Sequence, residues 1–258
     1  MKAARADLDE RFPADDLDLE VWSPYYLPHW SSRAESAASY AVRDGELHLT
    51  IPADQPGWCA DLHEEPLRVS CIQSASWSGP VGSAMGPLPF RPDLVVREEQ
   101  PPMWGYTPLY GQIEVEMRGV VSGRSMVAFW MAGLEDRPEG SGEICVAEIF
   151  GASVVDDSAE VGLGVHQFRD PGLREEWAAE RFDIDVAAFH TYGVDWRPAS
   201  VAISIDGRVV RRLEQAPDYP MQLFIGVFDF PARAVDGEAP AVPELIVSHV
   251  RGRPAETA

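Results

Sequence analysis

The chain has 258 residues, 45% of them apolar and 24% charged, which is ordinary globular material for one large domain or two small ones. Its formal net charge of −21 argues against nucleic acid or an anionic membrane as partner, because both need a basic field to offset phosphate repulsion. An uncharged polymer is indifferent to that field, whereas an anionic one needs a local basic cleft.

Residues 1–13 are polar and acidic and lack the apolar core of a signal peptide. No stretch approaches 18 consecutive apolar residues, so no membrane span is expected. The compartment stays open from these residues: cytoplasmic if the chain is full length. Residues 40–42 and 46–51 flank Asp44 and Gly45, a hairpin turn signal. Of the three cysteines, Cys59 and Cys71 are free to pair and Cys145 is left over, which is no disulfide framework. No Cys/His group has zinc-ligand spacing, and no metal site is expected from spacing.

The series continues with YGQIEVEMR at 110–118, which alternates as a half-buried strand, then 124–131, 143–150 and 161–168. PGLREEWAAER, at 171–181, has a helix-compatible start and is read as two or three helical turns. Strands resume at 190–196 and at 201–205, where Asp206 and Gly207 turn the chain into 209–212; 221–229 follows, and 245–250 is a return strand with a disordered tail after Gly252. Many short strands, little helix and no repeat or long linker indicate an all-β, antiparallel two-sheet sandwich, since each sheet has one apolar face to bury.

The central chemical signal is SGEICVAEIFG at 141–151. In a regular strand residues at even separation share a face, so Glu143 and Cys145 point together while Glu148, five residues on from Glu143, points away. A β-bulge between Cys145 and Glu148 restores the phase and turns all three the same way. Two carboxyls so placed suit a retaining glycosidase, which needs them about 5–5.5 Å apart across the scissile bond. Glutamates also scatter over the solvated faces of acidic proteins, so this spacing alone leaves both readings open.

The segment resembles the catalytic signature of glycoside hydrolase family 16 in its bulged form, Glu-x-Asp-x-x-Glu. Other stretches agree in order: LYGQIEVEMRGVVSGRSMVAFWM at 109–131 resembles the family's Tyr-Gly-x-x-Glu and Trp-Pro-Ala-Phe-Trp strands. FHTYGVDWRPASVAISIDGRVV at 189–210 resembles its Phe-His-x-Tyr…Trp…Val-Asp-Gly segment, and YPMQLFIGVFDF at 219–230 is similar to the strand that follows. The resemblance spans residues 15–252, leaving 1–14 as an N-terminal extension and 253–258 as a tail. It implies a concanavalin A-like jelly roll and an extracellular location, with Glu143 as nucleophile and Glu148 as general acid and later general base.

Two positions depart from the pattern. Cys145 stands where the family has Asp, and a thiol is a weak hydrogen-bonding group that carries no fixed charge at neutral pH. Met126 and Val127 stand where the family has Trp and Pro, which removes or relocates a sugar platform. Trp130 matches the second Trp and is the first candidate for a subsite wall, with Trp104 and Trp77 behind it; each is also a candidate core residue. His190 either anchors a loop or meets substrate or a carboxylate. His166 is a similar candidate, and Arg124 is either a surface residue or a contact for an anionic substituent. The resemblance also allows a structural calcium, without any loop here demanding one. The expectation is therefore a monomeric, cofactor-independent endo-glycosidase acting on a β-linked glucan or galactan, with a catalytically impaired carbohydrate-binding protein as the alternative.

Overall fold

The structure, a computed structural model, describes residues 7–234 and 242–255. The expectations for the first six residues and for 256–258 of the tail lie outside that range. Sixteen strands are present among the described residues. In the first half these are β1 (Leu8–Glu10), β2 (Ser39–Arg43), β3 (Glu46–Thr50), β4 (Arg68–Gln73), β5 (Ala75–Ser76), β6 (Met103–Trp104), β7 (Gly111–Val120) and β8 (Ser125–Gly133). The second half gives β9 (Glu143–Phe150), β10 (Ala159–His166), β11 (Glu176–Phe182), β12 (His190–Arg197), β13 (Ser200–Ile205), β14 (Arg208–Leu213), β15 (Met221–Asp229) and β16 (Glu244–Arg253).

They assemble into two large antiparallel sheets, the sandwich expected from the strand pattern and the jelly roll implied by the resemblance. One sheet runs β14-β13-β12-β7-β16-β3-β2, with β1 also paired to β16; the other runs β11-β10-β9-β8-β15-β4. Both Asp-Gly turns form as expected, with Asp44 and Gly45 at φ 55° and 75° and Asp206 and Gly207 at 50° and 73°, the left-handed pair that a tight hairpin demands. β1 pairs Leu8 with Gly252, so part of the expected N-terminal extension is built into the first sheet.

The main core lies between the sheets, where Ile113, Val115, Phe129, Met131, Leu163 and Ile225 are fully buried. A second apolar cluster covers the outer face of the six-stranded sheet. There Met126, Ala128, Trp130, Ala132, Phe224 and Phe228 meet Leu27, Trp58 and Leu94 from the coil stretches that fold over it. β8 therefore reads as a continuous apolar run, because both of its faces are covered.

The helix expected over 171–181 is absent: residues 171–172 form a turn and Glu176–Phe182 is β11, an edge strand paired along its whole length with β10. Only one neighbour covers this edge, so its exposed positions hold Ala, Glu and Arg. Those residues favour helix by propensity, and seven paired positions override that preference. All three cysteines are buried and free, so Cys59 and Cys71 do not pair. No helix among the described residues is long and apolar enough to cross a membrane.

Candidate active site

β9 is the centre of the site because its register breaks. Toward β8, Ala147 faces Phe129 while Cys145 faces Trp130. Toward β10, Glu148 faces Gly162 while Cys145 faces Gly164. Val146 is the extra residue, and both it and Ala147 point into the main core together with Ile144 and Ile149. Two consecutive core-facing residues are the mark of a bulge, and they return Glu148 to the face that carries Glu143 and Cys145.

The flanking strands decide what surrounds that face. The residues directly opposite Glu148 are Ala128 and Gly162; opposite Cys145 they are Trp130 and Gly164, and opposite Glu143 they are Ala132 and His166. Above them opens a cavity of about 580 Å³ bordered by Glu143, Glu148, Met126, Trp130, Glu135 and Arg169, with an aromatic wall from Trp58, His63 and Phe90. The His63 and Phe90 rings stack at 4.6 Å and 11°, and Phe168, 59% exposed, borders the same opening.

The hydrogen-bonding environment distinguishes the two carboxyls. Glu148 Oε2 accepts from Trp177 Nε1 at 2.9 Å, and the Cys145 thiol also bonds to it. Among the described residues, no side chain donates to the Glu143 carboxyl in this way. It follows Gly142, whose N–H donates to Tyr219 Oη at 2.7 Å, and that hydroxyl in turn donates to Asp170 at 2.7 Å. Burial pushes Glu143 well above the ordinary carboxylate range, with repulsion from Glu148 the next cause. Burial also raises Glu148, against the lowering effects of the His166 ring, the Trp177 N–H and the Cys145 thiol. Loss of water and mutual repulsion thus keep a proton on the pair where isolated carboxyls would have lost it. Cys145 is pushed well up as well, by burial and then by Glu148 and Glu143, so it is a neutral thiol that donates to Glu148.

A further buried carboxyl stands at the rim. Glu135 is pushed up to about 7 by burial. Its side chain ties three loops together, accepting from Leu88 N at 2.7 Å and from the Arg169 guanidinium, while Arg169 N donates to Ser141 Oγ at 2.9 Å.

The remaining sequence candidates divide. His166 lies on β10 with Nδ1 bonded to Glu175 at 2.6 Å and its ring stacked on Trp177 at 5.7 Å. Trp130 borders the cavity but is 6% exposed, stacked on Phe224 at 4.8 Å, so only its edge is open. Trp77 and Trp104 do not border this cavity: Trp77 Nε1 donates to Leu134 O at 2.6 Å and Trp104 pairs with Ala75. His190 sits on β12 in the other sheet, held between Asp206 and the Asp185 carbonyl at 2.7 and 3.2 Å, which is the loop-anchoring arrangement. Arg124 joins Arg68 in holding the fully buried Asp229, at 2.7 and 2.8 Å, so it serves an internal ion pair instead of an anionic substituent. Sequence reading missed Trp177, Glu135 and the Trp58–His63–Phe90 wall. Trp177 was hidden in the supposed helix, although Gly162 in the facing strand marks the space its indole fills. The others lie in coil without periodicity.

The family model for glycosyl hydrolases family 16 matches residues 106–238, a span that contains Glu143, Cys145 and Glu148. Among solved structures, a GlcNAcα1-4Gal-releasing endo-β-galactosidase from Clostridium perfringens superposes with a TM-score of 0.78 at 25% identity, over 95% of this chain and 61% of that one. The chain therefore spans about three-fifths of that relative's length. The catalytic domain of an endo-1,3-β-glucanase (laminarinase) from Thermotoga petrophila RKU-1 gives 0.63 at 14% identity, covering 97% of both chains. A laminarinase from Flavobacterium sp. UMI-01 gives 0.63 at 16%, over 95% of this chain and 98% of its own. At these identities the laminarinases show the shared fold. No curated protein sequence matches the chain.

Proposed function

This chain belongs to glycosyl hydrolases family 16, and from that membership we propose that it is a retaining endo-glycosidase of a β-linked polysaccharide, with Glu143 as nucleophile and Glu148 as acid and base. What supports this reading is the bulge at Val146, which sets both glutamates on one face at the floor of a single cavity. Glu148 protonates the glycosidic oxygen as Glu143 bonds to the anomeric carbon and the C–O bond to the leaving sugar breaks. Water then gives a proton to Glu148 and attacks the same carbon, which frees Glu143 and yields net retention. The Trp177 N–H and Cys145 S–H both aim at Glu148, where they stabilise the carboxylate left after the proton is donated. The enzyme is read as a monomer, and its acidity keeps nucleic acid and anionic membranes away.

The aromatic wall suits the apolar faces of pyranose rings. The likeness to an endo-β-galactosidase makes β-linked galactans the first substrates to try, followed by β-1,3-glucans. Cys145, a neutral thiol in place of the family's Asp, favours the second reading, a carbohydrate-binding protein with impaired chemistry. Reducing-end release from galactans, agarose, porphyran, laminarin and mixed-linkage glucan tests both, with NMR of the first-formed anomer reading retention. Glu143→Gln is expected to abolish release while leaving the circular dichroism spectrum unchanged. Undiminished turnover in that variant removes Glu143 from its role, and binding without turnover by the native protein selects the second reading.

A further inference from the structure

The Cys145, Glu148 and His166 side chains converge from two neighbouring strands, their ligand atoms within 4.8 Å of one another. We propose that this triad binds a thiophilic divalent cation of the zinc type, and that the ion switches the glycosidase off by occupying its acid–base carboxylate.

Donor chemistry selects the ion. One sulfur, one imidazole nitrogen and one carboxylate oxygen form a mixed soft and borderline set, which suits Zn²⁺ and disfavours the hard cations Ca²⁺ and Mg²⁺ that require oxygen ligands. Drawing the three atoms onto bonds of about 2.0–2.3 Å needs side-chain movements of roughly 1 Å. The support around the ligands is already in place. Glu175 accepts or shares the Nδ1 proton of His166 at 2.6 Å, leaving Nε2 to meet the ion in the carboxylate–histidine–metal arrangement that fixes tautomer and ring orientation. Trp177 Nε1 holds Glu148 Oε2 at 2.9 Å, which leaves the second carboxylate oxygen as ligand. Glu148 borders the cavity, so an ion enters from that side and a fourth position stays open to water. The thiol proton passes to solvent on binding, and thiolate plus carboxylate then neutralise the dication. The chain's net charge of −21 raises the local cation concentration.

Inhibition rests on the hydrolase reading; metal binding does not. The test titrates chelator-treated protein with Co²⁺ alone and reads the thiolate-to-cobalt charge-transfer band together with the visible d–d bands. A saturating band at one equivalent, displaced by Zn²⁺ and absent from a folded Cys145→Ser variant, is the expected result. Glu175→Gln, outside the triad, is expected to weaken binding about tenfold or more, and His166→Asn more strongly. No charge-transfer band in the native protein, or a band that survives Cys145→Ser, overturns the site. In the activity arm, Zn²⁺ is expected to stop reducing-end release reversibly on addition of chelator; full turnover at saturating Zn²⁺ overturns the switch. A protein that shows the cobalt band yet cleaves no polysaccharide keeps the metal site and sinks the hydrolase reading.

Discussion

Trp177 reaches from the edge strand β11 to place its indole N–H 2.9 Å from Glu148 Oε2. The contact exists because β10 has glycine opposite Glu148: a Cβ on Gly162 would sit 2.4 Å from Trp177 Cζ2. After burial and the His166 ring, an aromatic residue outside β9 therefore contributes to the electrostatics of the proposed acid. The N–H stabilises the charged form of Glu148, so its loss raises the carboxyl further. Trp177→Phe is expected to move the alkaline limb of the kcat/KM profile to higher pH by about one unit, the equivalent of one hydrogen bond to a charged group. A pH–rate series on the variant reads this directly, and an unmoved limb contradicts the assignment.

Cys145→Asp restores the family's residue at the bulge. Turnover is expected to be maintained or raised, because a carboxyl there hydrogen-bonds where the neutral thiol now donates weakly. A sharp fall in kcat with the fold retained shows instead that the site has been rebuilt around sulfur.

Glu135 gives the protein a pH-dependent stability of unusual sign for a carboxylate. Its folded value is raised to about 7 from an ordinary 4.5, so the folded state holds the proton more tightly than the unfolded chain does. The contribution is complete below the unfolded value and is lost as pH rises through about 7, amounting to at most about 3 kcal/mol. Urea unfolding at pH 5 and pH 8 is expected to show the loss in the native protein. Glu135→Gln, which carries no titrating proton there, is expected to flatten it.

Arg124→Ala tests the internal ion pair. Asp229 is fully buried and keeps Arg68 when Arg124 is removed, so the expected cost is about 2 kcal/mol with no change in KM. A raised KM and unchanged stability would return Arg124 to substrate recognition.

The strands were legible where a face is half-buried, as in β7 with its strict alternation, and where Asp-Gly turns fix a hairpin. β4 escaped notice because nearly all of RVSCIQ is buried and carries no alternation. β11 was misread because its exposed edge selects solubility and not strand pattern. In the site, Glu143 and Glu148 stood out through spacing and resemblance, since a bulge is a matter of counting residues. Glu135, Trp177 and the Cys145–Glu148–His166 cluster depend on which strands become neighbours, and no local pattern carries that. Arg124 shows the converse: a cation just ahead of β8 looks functional until its buried partner, 105 residues away, is seen.

The unpaired Val146 makes the chemistry depend on arithmetic more than on identity. Shortening β9 by that single position would heal the ladder into ordinary pleating and turn the Glu148 side chain inward among Phe129 and Leu163, while every other strand kept its neighbours. A one-codon deletion would leave a well-made shell with its proposed acid facing the wrong way.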